Sequence, residues 1–212
     1  MTPTLSPDVP RLQGKADNTY GRILDAAAHL FRANGYASVS LRAIAASADM
    51  KAGSLYYHFS SKEEIVTAIL DAGIQSVQGA VRDVVDSLPR GARAAEKISA
   101  GIEAHLLTLL EHSDYTSANV RIFGQLPRSV QSANLDVRRD YERLWDDLLA
   151  ELQACGELRE GVDLHALRML LIGSLNATLE WFDPEQGSVE SLARSYSDIL
   201  LQGVLGSAGG RS

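Results

Sequence analysis

The stretch Ser40 to Lys62, SLRAIAASADMKAGSLYYHFSSK, constrains the chain more than any other. Leu41, Ile44, Ala45 and Ala48 recur at helical spacing and predict a short helix with one apolar face. Ser40 stands just before it, where a hydroxyl can accept a free backbone N–H. Asp49-Met50 interrupts the pattern, and Lys51 to His58 resumes it as a second helix. The outer positions of that helix, Lys51, Ala52, Gly53, Ser54, Tyr57 and His58, are small, basic or hydrogen-bonding, while Leu55 and Phe59 point back to a core. A helix with such an outer face fits a groove about 12 Å wide and presents donors to base edges. The pattern predicts a helix-turn-helix with Lys51 to His58 as the reading helix.

The order of residues around this unit carries a resemblance. Phe31-x-x-x-Gly35-Tyr36, then Ser40-Leu41-Arg42-x-Ile44-Ala45, then Gly53-Ser54-Leu55-Tyr56-Tyr57-His58-Phe59-x-x-Lys62-Glu63 resembles the DNA-binding domain of the TetR/AcrR family of one-component repressors. The match runs from about Asn18 to Gln78; beyond it, the likeness is one of length and all-helical pattern. It implies a palindromic double-stranded operator, a small-molecule effector and a homodimer. It points to Tyr57 and Lys62 as phosphate contacts and to Lys51, Ala52 and Ser54 as base-edge neighbours. Gly53 leaves no side chain to hold the backbone away from DNA. Tyr56, Tyr57 and His58 offer a hydroxyl or ring N–H, with Tyr56 the tyrosine expected to pack inward if one does. Ser40 and Arg42 belong to the same candidate face, Arg42 either reaching the DNA backbone or standing as a solvated charge. Thr19 lies at a helix start that either holds a phosphate or simply caps and packs. Three positions depart from the family pattern. Asp49 stands where glycine commonly makes the turn, Lys51 where a hydroxyl usually caps the reading helix, and Ala43 where an acidic residue often completes a capping box.

The net charge of −7 is unevenly placed. Residues 11–78 carry seven basic and six acidic side chains, whereas residues 79–212 carry thirteen and twenty. The acidity therefore lies away from the expected DNA face, and local charge governs phosphate contact. The single cysteine, Cys155, rules out an internal disulfide framework and fits a reducing, cytoplasmic setting. No apolar run approaches the roughly 20 residues that span a bilayer, and the N-terminus lacks a signal pattern. No membrane partner is expected. The rival classes are a helical-bundle enzyme and a helical module that binds only proteins. No Gly-rich phosphate loop, no G-x-S-x-G elbow and no Glu-x-x-His pair is present. The chain therefore reads as no enzyme, with no catalytic residue, metal or cofactor.

The fold expected is all-α with about nine helices. Residues 1–14 read as a disordered arm, 15–60 as the helix-turn-helix domain, 61–206 as a ligand-binding and dimerisation domain, and 207–212 as a disordered tail. Helices are expected over 16–34, from Ser61 to about Val85 as a linker, 92–111, 116–123, a single long helix from Pro127 to Cys155, 163–182 and 188–205. His105, His112, Tyr115, Phe123, Tyr141, Trp145, Asn176 and Trp181 are candidates to line an effector pocket, which needs apolar walls with a few polar groups; an aromatic stripe at helical spacing also makes ordinary core. In the family the last two helices pair across a two-fold axis, which points to Leu167, Leu171, Ser174, Leu175, Thr178, Leu192, Tyr196 and Ile199. The run Gly173 to Pro184, with Gly187, Ser188 and Tyr196, is similar to members tied to lipid, sterol and acyl-CoA catabolism. That likeness makes an acyl-CoA or another apolar acid the expected effector.

Overall fold

A computed structural model describes residues 15–204, the side chains of 15–18, His112 and Val204 excepted. The arm and tail expected at the termini lie outside the described residues. Among those residues the chain forms ten α-helices and no strand. They are α1 (Lys15–Ser38), α2 (Leu41–Ser47), α3 (Ala52–Leu55), α4 (Lys62–Ser87) and α5 (Ala94–Leu107), then α6 (Asp114–Ile122), α7 (Arg128–Ala133), α8 (Leu135–Ala154), α9 (Leu164–Ala177) and α10 (Val189–Val204).

The extra helix comes from a break at Asn134. The sequence reads as one helix from Pro127 to Cys155, but α7 ends and α8 begins at Asn134, whose side chain is fully buried. Its amide donates to Asp71 of α4 at 2.6 Å and accepts from Arg138 at 2.9 Å. A side chain committed to another helix in this way competes with a continuous helical ladder. The helix expected over 163–182 stops at Ala177 and tightens into a 3-10 turn over Thr178–Glu180. Between α5 and α6 the chain widens into a π-helical turn, Thr108–His112.

Two apolar cores meet along α4. Ile65, Val66, Ile69 and Leu70 join Ile23, Ala27 and Phe31 of α1, the helix-turn-helix residues Ile44, Leu55 and Phe59, and Ala118 and Ile122 of α6. Ile74, Val77 and Val81 join Ile98, Ile102 and Leu106 of α5, Trp145 and Leu149 of α8, and Leu171 and Leu175 of α9. The packing therefore divides at Gly73, inside α4, rather than at the start of that helix. A Cβ on Gly73 would sit 2.6 Å from the Tyr115 carbonyl oxygen, so α6 crosses α4 backbone to backbone at this point. Thr116 Oγ1 donates to the Gly73 carbonyl at 2.9 Å, and Asn119 Nδ2 to the Leu70 carbonyl at 2.8 Å.

Candidate nucleic-acid interface and internal cavity

The helix-turn-helix is held from behind. Ser40 caps α2 by accepting the Ala43 N–H at 3.2 Å. The turn uses Asp49 in the left-handed region, φ 52°, which an aspartate tolerates where most residues do not. Arg22 of α1 donates to the carbonyls of Ala48 and Asp49 and braces the same turn. Lys51 occupies the N-cap of α3 with no side-chain hydrogen bond, so neither Lys51 nor Asp49 supplies a capping group there. The helix proper covers only Ala52–Leu55, shorter than expected, although Tyr57, His58 and Phe59 continue the backbone bonding as a turn. Leu55 and Phe59 are buried, and Phe59 stacks on Tyr20 with ring centroids 4.8 Å apart. Those two anchors fix which side faces outward.

That outer side carries most of the candidates. Ser40, Arg42, Lys51 and Gly53 are exposed, and Ala52, Ser54, His58 and Thr19 are partly exposed. Tyr57 is 91% exposed and Tyr56 59%, so neither tyrosine packs inward. Lys62 differs from a free mobile charge. Its amine donates to the carbonyls of Tyr36 at 2.9 Å and Val39 at 3.0 Å and lies 3.9 Å over the Tyr36 ring. It ties the start of α4 to the end of α1, with one ammonium hydrogen left over. Next to it the Tyr36 hydroxyl donates to Glu63 at 2.9 Å, and burial together with that carboxylate pushes the phenol up to about 12. Ser61 and Glu64 cap α4: the Ser61 hydroxyl accepts the Glu64 N–H, and the Glu64 carboxylate accepts from Ser60.

A small cavity of about 70 Å³ lies where α4, α5, α6, α8 and α9 converge. Gly73, Ile74 and Val77 form one wall, and Thr116, Asn119 and Val120 of α6 another. Ile172 is the apolar contribution of α9, while Arg138 and Glu142 stand at the α8 side. Of the eight residues expected at a pocket, the fold brings three to it: His105, Tyr141 and Asn176. His105 is 2% exposed, with Nδ1 2.6 Å from the Tyr141 hydroxyl and Nε2 3.3 Å from Asn176 Oδ1. Burial pushes the imidazole down to about 4, against a smaller upward pull from Asn176, and pushes the Tyr141 phenol up. The histidine is therefore neutral, its Nε2–H donating to Asn176 and its Nδ1 accepting from Tyr141. Trp145 lies beneath, fully buried and edge-on to Tyr141.

The other candidates sit elsewhere. Tyr115 adjoins cavity-lining Thr116 but is not itself in the lining, and its hydroxyl donates to Asp25 of α1. Phe123 lies under the Arg138 guanidinium, 3.5 Å from its carbon. Trp181 is 55% exposed and stacks on Tyr196. The side chain of His112 lies outside the described residues. Sequence reasoning missed Gly73, Asn119 and Arg138. A glycine inside a long helix was the available signal for Gly73; Arg138 looked like one more charge on a strongly charged helix.

The α9 residues expected to pair lie mostly inside the protomer. Leu167, Leu171, Leu175 and Thr178 are buried in the protomer's own core, so they are not free to meet a second copy. Ser174, Leu192 and Tyr196 are half-buried, and Ile199 is exposed. The apolar side of α9 that does face outward is Ala166, Met169, Leu170 and Gly173, of which Leu170 is 61% exposed. A helix apolar around most of its circumference cannot reveal from sequence which stripe the protomer itself consumes.

The two halves of the chain each match a known domain. The tetracyclin repressor-like C-terminal domain matches residues 91–204, and the bacterial regulatory proteins of the tetR family match residues 23–69. This chain belongs to the TetR family. The regulator is 27% identical to the transcriptional repressor KstR2 of Rhodococcus jostii over 201 residues, 89% of this chain and 95% of that one. It is 25% identical to the fatty acid metabolism regulator protein of Bacillus subtilis, over 87% of this chain and 95% of that one. Its fold is that of the Bacillus subtilis regulator FadR in complex with stearoyl-CoA, with a TM-score of 0.74 at 23% identity, covering 87% of this chain and 98% of that one. The regulator thus carries the two domains of a TetR-type DNA-binding transcriptional regulator. No helix among the described residues is long and apolar enough to cross a membrane.

Proposed function

We propose that the regulator is a cytoplasmic, non-enzymatic repressor that leaves a palindromic operator when a fatty acyl-CoA, or a related apolar acid, enters the cavity beside His105. The observation that carries this reading is the position of α6. One side of that helix lines the cavity through Thr116, Asn119 and Val120. Its N-terminal turn grips α1, Asp114 pairing with Arg32 and lying 3.4 Å from His29 Nδ1, and Tyr115 bonding Asp25. Gln125, just after it, accepts the Tyr36 N–H at 3.1 Å at the end of α1.

A cavity of about 70 Å³ is far below the roughly 300 Å³ at which ligand pockets begin. An acyl chain therefore fits only if the walls part. Parting them moves α6 and the second half of α4, and with them the helix-turn-helix that both helices pack against. The effector then acts by its differential affinity for the opened and closed forms. The likeness to a fatty acid regulator and to a stearoyl-CoA complex supports the ligand class. Domain roles follow sequence range, 15–60 reading DNA and 61–206 holding ligand and partner copy, with α4 packed into both cores and so joining them. The outward stripe of α9 around Met169 and Leu170, with α10, supplies the two-fold contact that spaces two reading helices on successive major grooves.

Anisotropy of a labelled palindromic site tests this directly. Acyl-CoAs of increasing chain length should release the operator, and binding should fall steeply with salt. Tyr57→Phe should weaken all sequences alike, whereas Lys51→Ala should change preference among them. An operator affinity that no bound acyl-CoA alters would refute the linkage.

A further inference from the structure

Among the described residues lining the cavity, Arg138 is a cation with no carboxylate in contact. Arg138 leaves the first turn of α8 half-buried, its Nε donating to Asn134 Oδ1 at 2.9 Å and its Nη2 to Asn119 Oδ1 at 2.5 Å. Its other face lies on the Phe123 ring. All three neighbours are neutral. Glu142, one turn along α8, is engaged by Arg168 Nη1 at 3.1 Å. Asp71 accepts from Asn134 and so reaches Arg138 only through that amide. Among the described residues no carboxylate is in ion-pair contact with Arg138. Burial pushes its guanidinium down to about 10, with Glu142 pulling weakly the other way.

A partly desolvated guanidinium that touches no carboxylate is costly, and its planar fork matches a carboxylate or phosphate with two parallel bonds. Asn119 gives the position a consequence. The same buried amide that accepts from Arg138 donates to the Leu70 carbonyl of α4, one turn before the Gly73 crossing. We propose that Arg138 anchors an anionic oxygen group of the effector, and that engaging it draws the guanidinium off Asn119 and loosens the α4–α6 joint. This rests on the cavity being the effector site. The shared chemistry is an oxyanion, which a free acid supplies as carboxylate and an acyl-CoA as phosphate.

Calorimetric titration of the full chain with octanoate, octanoyl-CoA, coenzyme A alone and 1-octanol tests it. At least one anionic octanoyl probe should bind tenfold or more tighter than octanol; octanoate doing so identifies the carboxylate, octanoyl-CoA alone the phosphate. Arg138→Gln should weaken that probe roughly 10- to 100-fold, the loss of a charge-assisted pair, while octanol changes less than about threefold. Asn119→Asp, which supplies a resident carboxylate, should also weaken the anionic probes selectively. Octanol binding as tightly as both anions, no binding by either anion, or an equal loss for all probes in Arg138→Gln overturns the proposal. The wild-type selectivity decides the matter even if a variant fails to fold. Operator binding measured without ligand separates this from the regulatory reading: its absence would refute the regulator, not the anchor.

Discussion

Replacing Gly73 by alanine puts a methyl group into a place where α4 and α6 touch through their backbones. The new Cβ would lie 2.6 Å from the Tyr115 carbonyl oxygen, 2.8 Å from its carbon and 3.2 Å from the Thr116 nitrogen. None of these atoms belongs to a flexible side chain, so the helices themselves must part, by roughly 0.8 Å to recover ordinary contact. Overpacking of this kind costs about 1–3 kcal/mol. For a chain of this size each kcal/mol lowers the melting temperature by about 2–4 °C, so a fall of roughly 2–12 °C is expected. The same displacement stretches the Thr116 and Asn119 bonds to α4 and shifts α6 against α1. Operator affinity should fall with it, by a larger factor than for alanine at half-buried Gly79 or exposed Gly187, where a Cβ meets nothing within 4 Å. Calorimetric melting and operator anisotropy on the three variants give the comparison. A Gly73→Ala protein that melts and binds like the other two would show that the crossing is not a rigid joint, and the coupling argument would fail with it.

Three further outcomes follow from the same geometry. His105 ordinarily titrates near 6.5 but is held down to about 4 in the fold, so between those values the unfolded chain takes a proton that the folded one refuses. Its contribution is complete above about pH 6.5 and is lost as pH falls toward 4, about 3 kcal/mol in all; urea unfolding across that window should be steeper in pH for the wild type than for His105→Gln, and equal slopes would contradict the buried neutral imidazole. Leu170→Glu places a charge on the outward stripe of α9 and should yield monomers by light scattering with weakened operator binding, whereas a variant that remains dimeric would move the interface elsewhere. Asp114→Asn removes an exposed pair worth less than about 1 kcal/mol, so stability should hardly change while the effector concentration needed for operator release shifts; an unaltered release curve would exclude the α6–α1 contact from the signal.

Local chemistry made the DNA-reading half of this protein legible without coordinates. Ser40 as a cap, Asp49 as a left-handed turn residue, and Leu55 and Phe59 as anchors all act within a few residues of chain, so spacing alone places them. Helix positions elsewhere were readable for the same reason, since apolar stripes every three or four residues are local patterns. What depended on partners distant in the chain was not readable. Asn134 breaks a helix because Asp71 holds its amide, Lys62 is pinned by carbonyls at the end of α1, and α9 hides Leu171 while exposing Leu170 because α5 and α8 cover only one of its apolar sides. Arg138 is an ordinary charge in the sequence and an unpaired one in the fold. The sequence determined where most helices lie and which of them is the candidate to read DNA; the tertiary structure decided where one helix breaks, where the cavity lies, which side chains enter it and which apolar face is left over, because burial and charge pairing are properties of packed neighbours rather than of sequence spacing.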